Sequence, residues 1–282
     1  MEWFIYMDDM VTSMFFKVYL IMTMICFIMS FLSDKPPVIS SALLFIGPGG
    51  SGKTSIIHSI HRIFIKKNLS HFLVNLDPSN KFLPFVANLD IRDTINFEYI
   101  KNKFKLGPNA AILTALNLYI TKINQLIEIC NHINKTLKYF LCDTPGQLEI
   151  FLWSISGYII INIFKIFFKI CIIYVIDIKK CNSLRLLMVN LLIAATVAYR
   201  IKNRFLIIWN KNDYNEKDFY NYYSNSTKTM SYFNENRKDY LLEVYNIFME
   251  IYYKNSLKIF ICLYTSTMSG VGFGEFISFV EC

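Results

Sequence analysis

The chain has 282 residues, 54% of them apolar, enough to bury the core of one large α/β domain or two small ones. The formal charge of +8 comes from scattered Lys and Arg with no run of five, so direct nucleic-acid binding is not expected. Seven cysteines, with no Cys-x-x-Cys and mostly in apolar runs, read as reduced, buried thiols of a cytoplasmic protein rather than a disulfide framework or zinc site.

The N-terminal region stands apart. Val11 to Leu32 is apolar except for Lys17, and its uncharged part, Val18 to Leu32, is 15 residues long. A membrane helix needs about 20. Glu2, Asp8 and Asp9 stand where a signal peptide carries basic residues. Three readings remain open: a membrane anchor, an amphipathic or buried extra helix, or upstream sequence with translation starting at Met22, Met24 or Met29. Ser33 to Ser41, with Pro36 and Pro37, reads as a linker. Residues 1–37 are therefore taken as extension and linker, and residues 38–282 as the working domain.

Ala42 to Ile46 reads as a strand, and Gly47-Pro-Gly-Gly-Ser-Gly-Lys-Thr54 as a phosphate loop that leads into a helix from Ser55 to Lys67. In such a loop the backbone N–H groups of Gly49, Gly50, Ser51 and Gly52 converge on a polyphosphate at the positive end of the helix, with Ser55 in its first turn. Lys53 would reach the β- and γ-phosphates, and the Thr54 hydroxyl would ligate Mg²⁺. His58 and His61 lie three apart on this helix, but no nearby Cys or carboxylate completes a metal site. His71 to Leu76 is a strand ending in Asp77-Pro78, and a mixed stretch follows to Leu106. Apolar spacing from Ile112 to Ile127 predicts one helix over Ala111–His132. Strands follow over Leu137–Cys142, Ile170–Ile176, Phe205–Trp209 and Ile259–Tyr264, with helices over Leu184–Tyr199 and Gly272–Val280. Asn215 to Arg237 is polar and reads as a loop or surface helices. The alternation predicts an α/β fold with a doubly wound, mostly parallel sheet.

Two further motifs fall after strands, where ligands bind in such sheets. In Asp143-Thr-Pro-Gly-Gln147 the Asp can hold Mg²⁺, and the Gly-Gln pair can sense a γ-phosphate and position water. In Asn210-Lys-Asn-Asp213 the carboxylate of Asp213 can accept hydrogen bonds from the guanine N1–H and exocyclic amine. Adenine has no such donor pair, so GTP is favoured over ATP. Ser266, after the last strand, is placed to support the base from its other side.

With Asn75-Leu-Asp-Pro78 and Gly107-Pro108-Asn109 added, the succession resembles the GPN-loop GTPases from about Ala42 to Phe276. Asp90-Ile-Arg-Asp-Thr94, Leu113-Thr-Ala-Leu-Asn-Leu118 and Phe151-Leu-Trp-Ser-Ile-Ser-Gly157 are most similar to paralogue 1 of that family. The resemblance implies a phosphate-loop NTPase fold with a GPN-loop insertion. It also implies a dimer, homomeric or formed with another GPN-loop GTPase, in which Asn109 reaches across the interface toward the γ-phosphate of the other subunit. It places Asp77, Asp143, Gln147 and Glu149 around Mg²⁺ and the attacking water, with Thr54, Asp77 and Asp143 as metal ligands. It implies work in assembly and nuclear import of RNA polymerase II, in cytoplasm and nucleus. The family's acidic tail is not among these 282 residues, its Ser-Ala turn is Ser266-Thr267 here, and the apolar N-terminus has no family counterpart. Two alternatives stand beside the GTP-hydrolysing switch: a non-catalytic GTP-binding scaffold subunit, and a GTPase attached to a membrane through residues 11–32.

Overall fold

The computed structural model describes residues 40–181, 184–211, 260–267 and 269–281. The apolar N-terminal segment, Asp213 and the polar stretch 215–237 lie outside the described residues. Seven parallel strands form one sheet, β1 (Ser41–Ile46), β2 (His71–Asn75), β3 (Leu89–Asp90), β4 (Tyr139–Asp143), β5 (Lys169–Asp177), β6 (Arg204–Asn210) and β7 (Phe260–Tyr264), in the order β3-β2-β4-β1-β5-β6-β7. The helices among the described residues are α1 (Lys53–Lys66), α2 (Ile91–Thr94), α3 (Phe97–Lys103), α4 (Pro108–Ile120), α5 (Ile123–Ile133), α6 (Leu148–Trp153), α7 (Ile155–Phe167), α8 (Leu184–Ile201) and α9 (Phe273–Glu281).

Parallel strands covered on both faces carry apolar side chains at successive positions, and these do. Along β1, Leu43 and Phe45 face a core closed by α1 and α9, through residues such as Ile57, Phe64 and Phe276. Ala42, Leu44 and Ile46 face a larger core closed by α4 to α8. β1 sits at the centre, with Phe45 in register with Asp143 of β4 and with Ile173 of β5. That register brings the loop after β1 beside the loops after β4 and β5, at the point where strand order reverses.

The expected α/β fold is present, but the helix expected over Ala111–His132 is two helices. At Thr121 and Lys122 the backbone turns through tighter bonds, Thr121 N–H to Leu118 O and Lys122 N–H to Tyr119 O. The Thr121 hydroxyl also donates to Leu118 O at 2.7 Å, a local competitor to continued helix. The mixed stretch before Leu106 contains β3, α2 and α3, and the segment between Asp143 and Ile170 contains α6 and α7. Cys130, Cys142, Cys171 and Cys181 are buried free thiols, and burial pushes those of Cys171 and Cys181 up to about 12. His61 pairs with His71 at 2.7 Å, at the start of β2 and so at the end of the sheet opposite the motifs. Among the described residues no helix is long and apolar enough to cross a membrane.

Candidate functional site

The Gly47–Thr54 segment runs from the end of β1 into α1 as expected. Gly52 caps α1 at φ 94°, ψ 23°, a left-handed conformation that strains any residue with a Cβ. No side chain caps the helix and no acidic residue lies in its first turn, so its free N–H groups and positive dipole end are available to an anion. Lys53 folds back to donate to Gly47 O at 2.9 Å and Pro48 O at 3.2 Å. Desolvation lowers its pKa, against which the charges of Asp143 and Asp77 work.

Distant elements fix the rest of the loop. Asn210, at the end of β6, donates from Nδ2 to Ser51 O at 2.9 Å, and Thr265 donates to its Oδ1 at 3.4 Å. Lys211 adopts φ 68° and places its ammonium 2.8 Å from Gly50 O and 2.7 Å from the buried Asp177 carboxylate. Lys180, in the turn after β5, donates to Gly49 O at 3.2 Å. The Asn and Lys of the Asn-Lys-x-Asp motif thus hold the phosphate loop, while Asp213, the expected base reader, lies outside the described residues. Ser266 is buried just beyond β7, where its hydroxyl accepts from Ser269 N–H.

The loop opens onto a cleft of about 620 Å³. Gly49, Gly50, Gly52, Lys53, Thr54 and Ser55 line one side, and Asp77, Thr144, Gly146 and Gln147 face them. Gly146 approaches so closely that a Cβ there would lie 3.0 Å from the Gly49 Cα. Asp77 closes a local turn by accepting from Ser79 N–H and Oγ–H, at 2.9 and 2.6 Å. Ser79, Asn80, Phe82 and Pro84 extend the wall beyond the expected residues. The Asp77-Pro78-Ser79-Asn80 composition signals a turn, but nothing local says that it faces the loop.

The residues fit a magnesium ion. Thr54 Oγ1 donates to Asp143 Oδ2 at 2.6 Å, so the two expected ligands already touch. Asp143 is 1% exposed, and its Oδ1 has no partner among the described residues. Burial pushes its carboxyl up to about 6, offset in part by the Thr54 hydroxyl and the Lys53 charge. A hard divalent cation would satisfy the orphan oxygen and take over the Thr54 contact. Among the described residues no group of three or more His, Cys, Asp or Glu gathers. Such an ion would therefore draw further ligands from phosphate and water, as magnesium commonly does. Gln147 Oε1 and Ser51 Oγ are likewise buried with no hydrogen-bond partner among the described residues.

Two expected residues are not on its walls. Glu149 is exposed in the first turn of α6. Asn109 is exposed at the second position of α4 and makes no side-chain hydrogen bond among the described residues. The helix cap is Gly107, with Pro108 following, so Asn109 is not the capping residue. Arg92, the only arginine near the motifs before Asp143, is committed elsewhere. Its guanidinium grips Asp90 Oδ2 at 2.6 Å and Asn80 O at 2.7 Å.

Comparison with known proteins agrees with this geometry. A family profile described as "conserved hypothetical ATP binding protein" matches residues 45–281, well over half of the chain. GPN-loop GTPase 1 of Schizosaccharomyces pombe is 39% identical over 178 residues, 63% of this chain and 48% of that protein. GPN-loop GTPase QQT2 of Arabidopsis thaliana is 38% identical over 174 residues, 62% of this chain and 46% of that protein. The chain thus spans about half the length of the curated relatives it matches. The apo crystal structure of PAB0955, a GTPase from Pyrococcus abyssi, superposes with a TM-score of 0.74 at 23% identity. It covers 86% of this chain and 97% of that one, which establishes the shared fold. On the profile match, supported by these relatives, the chain belongs to the GPN-loop GTPase family.

Proposed function

We propose that this chain binds GTP with Mg²⁺ and hydrolyses it. The observation that carries this is the contact of Thr54 with a buried, half-satisfied Asp143 at the mouth of a braced phosphate loop. The Mg²⁺ bound there would neutralise phosphate charge. The residues themselves orient and donate. Lys53 would exchange its loop carbonyls for phosphate oxygens, and the Gln147 amide faces the cleft where it can hold an attacking water. The Asn210-Lys-Asn-Asp213 motif favours guanine, because a carboxylate in it can accept from the guanine N1–H and exocyclic amine, a donor pair that adenine lacks. The curated relatives carry GTPase names, although the family profile speaks of ATP.

Phosphate release would free the Asp77 and Thr144–Gln147 segments, giving two states of one surface. The switch is proposed to work as a dimer, with itself or with another GPN-loop GTPase. Its proposed setting is the assembly and nuclear import of RNA polymerase II, in the cytoplasm with passage to the nucleus. Relatedness to the paralogue 1 branch supports this part. The test is phosphate release from GTP and from ATP, each with Mg²⁺ and with chelator, beside the Asp213→Asn variant. GTP turnover that needs Mg²⁺ and exceeds ATP turnover is expected. Asp213→Asn should weaken GTP binding by roughly 2–4 kcal/mol. Equal affinity for ATP and GTP would overturn the guanine assignment. Affinity capture with GDP and with a non-hydrolysable GTP analogue tests the partners.

A further inference from the structure

Every carbonyl of the phosphate loop from Gly47 to Ser51 is held by a side chain. Lys53 takes Gly47 O and Pro48 O, Lys180 takes Gly49 O, Lys211 takes Gly50 O and Asn210 takes Ser51 O. In a trans peptide the C=O and the following N–H point in opposite directions. Holding Gly49 O on one side of its peptide therefore turns the Gly50 N–H to the other. Four of these contacts come from residues of the two nucleotide motifs. The one on Gly49 O comes from Lys180, outside every motif in the chain.

We propose that Lys180 is a positioning residue for the reaction, and that by holding the Gly49–Gly50 peptide it aims the Gly50 N–H at the terminal phosphate end of a bound nucleoside triphosphate. This rests on the GTPase reading above. The end of the cleft is assigned from contacts. Gly49 is the loop residue against which Gly146 packs, and Gly146 opens the Gly-Gln segment that answers to the γ-phosphate. Lys211 and Asn210 hold the adjacent peptides from the side of the base motif. Lys180 Nζ also lies 3.2 Å from where a Cβ on Gly50 would stand, and its charge is felt at Lys53. The short turn that carries it, Ile178–Lys180, is capped by Asp177, whose Oδ1 accepts Lys179 N–H at 3.1 Å and whose Oδ2 pairs with Lys211. One buried carboxylate thus places both outer lysines. Charge grows on the oxygens around the γ-phosphoryl group in the transition state, so a well-aimed N–H there contributes more to turnover than to diphosphate binding.

The experiment compares the full chain with Lys180→Ala and Lys180→Arg for GTP turnover and for GTP and GDP affinity. Lys180→Ala should lower kcat by about tenfold or more while GDP affinity stays within about threefold. Lys180→Arg, which keeps a donor within reach of Gly49 O, should restore most of the rate. Unchanged turnover in Lys180→Ala overturns the proposal. So does a loss of GDP affinity as large as the loss of turnover, which would make Lys180 a general brace of the loop. A wild-type chain that binds GTP but never hydrolyses it overturns the GTPase reading instead, and Lys180→Ala would then be judged on GTP against GDP affinity alone. A fall in that ratio would uphold the aiming role, and no change would overturn it.

Discussion

Lys53, Asn210 and Lys211 are tied into the phosphate loop by hydrogen bonds within the chain, whereas the Asn109 amide has no hydrogen-bond partner among the described residues. Both regions carry distinctive sequence. One is finished by intramolecular contacts and the other is presented outward on the first turn of α4. A chain can preorganise groups that grip phosphate in every state, since the grip suits GTP and GDP alike. A group that acts at the interface of two subunits has no reason to be satisfied inside one. The comparison therefore separates binding machinery, which should fail within a single subunit, from a group that should fail only between subunits.

The largest expected effect is on the finished side. In Gly52→Ala the new Cβ would lie 2.3 Å from Asn210 Nδ2 in a residue at φ 94°. Left-handed strain costs about 1–2 kcal/mol, and a broken buried hydrogen bond about 1–3 kcal/mol more. GTP affinity should fall by roughly 10²–10³-fold, measured by nucleotide titration. Affinity within fivefold of the unmodified chain would mean that the Asn210 brace does not govern binding.

The next effect belongs to the presented side. Asn109→Ala should leave GTP affinity intact and lower hydrolysis by about 10²-fold. Because Gly107 rather than Asn109 caps α4, stability should change by less than about 0.5 kcal/mol. Mixing this variant with Lys53→Ala sharpens the test. If the proposed dimer forms, the intact Lys53 site of a mixed pair would receive Asn109 from the other subunit, so part of the activity should return. Mixed dimers that form but stay inactive would remove the across-interface role.

The same contrast marks what could be read from the chain alone. β1, β2, β4 and β6 are short apolar runs bounded by motif residues, and their succession along the chain follows from those motifs. The Thr54–Asp143 pair was legible because both residues belong to motifs whose chemistry requires one shared cation. Lys180 was not, since nothing near residue 180 says that Gly49 lies beside it; that contact exists only because β5 lies next to β1. α7 escaped for another reason. Ile159, Ile160, Ile161, Ile163 and Phe164 are all buried, so no polar face remains to give a helical period. The break at Thr121 was hidden by apolar spacing that continues across it.

The smallest expected effect concerns the metal site and has the opposite sign from the others. Burial holds the Asp143 carboxyl at about 6 in the folded chain, against about 3.9 when unfolded. Between these values the folded state binds the proton more tightly, so the stability of the nucleotide-free protein falls as pH rises from about 4 to 6. Above pH 6 the full penalty is present, on the order of 2–3 kcal/mol. Asp143→Asn removes the charge and keeps an oxygen for the Thr54 hydroxyl. It should therefore stabilise the free protein by about 1–3 kcal/mol at pH 7 and make little difference at pH 4, read by denaturant titration at both values. With GTP and Mg²⁺ the order should invert. Ligand that binds only the folded state stabilises the unmodified chain by mass action, while the variant would lack the anion proposed to receive the metal. A variant less stable than the unmodified chain at pH 7 without nucleotide would show that the buried carboxylate is already satisfied there. The orphan Oδ1 would then be no argument for a cation.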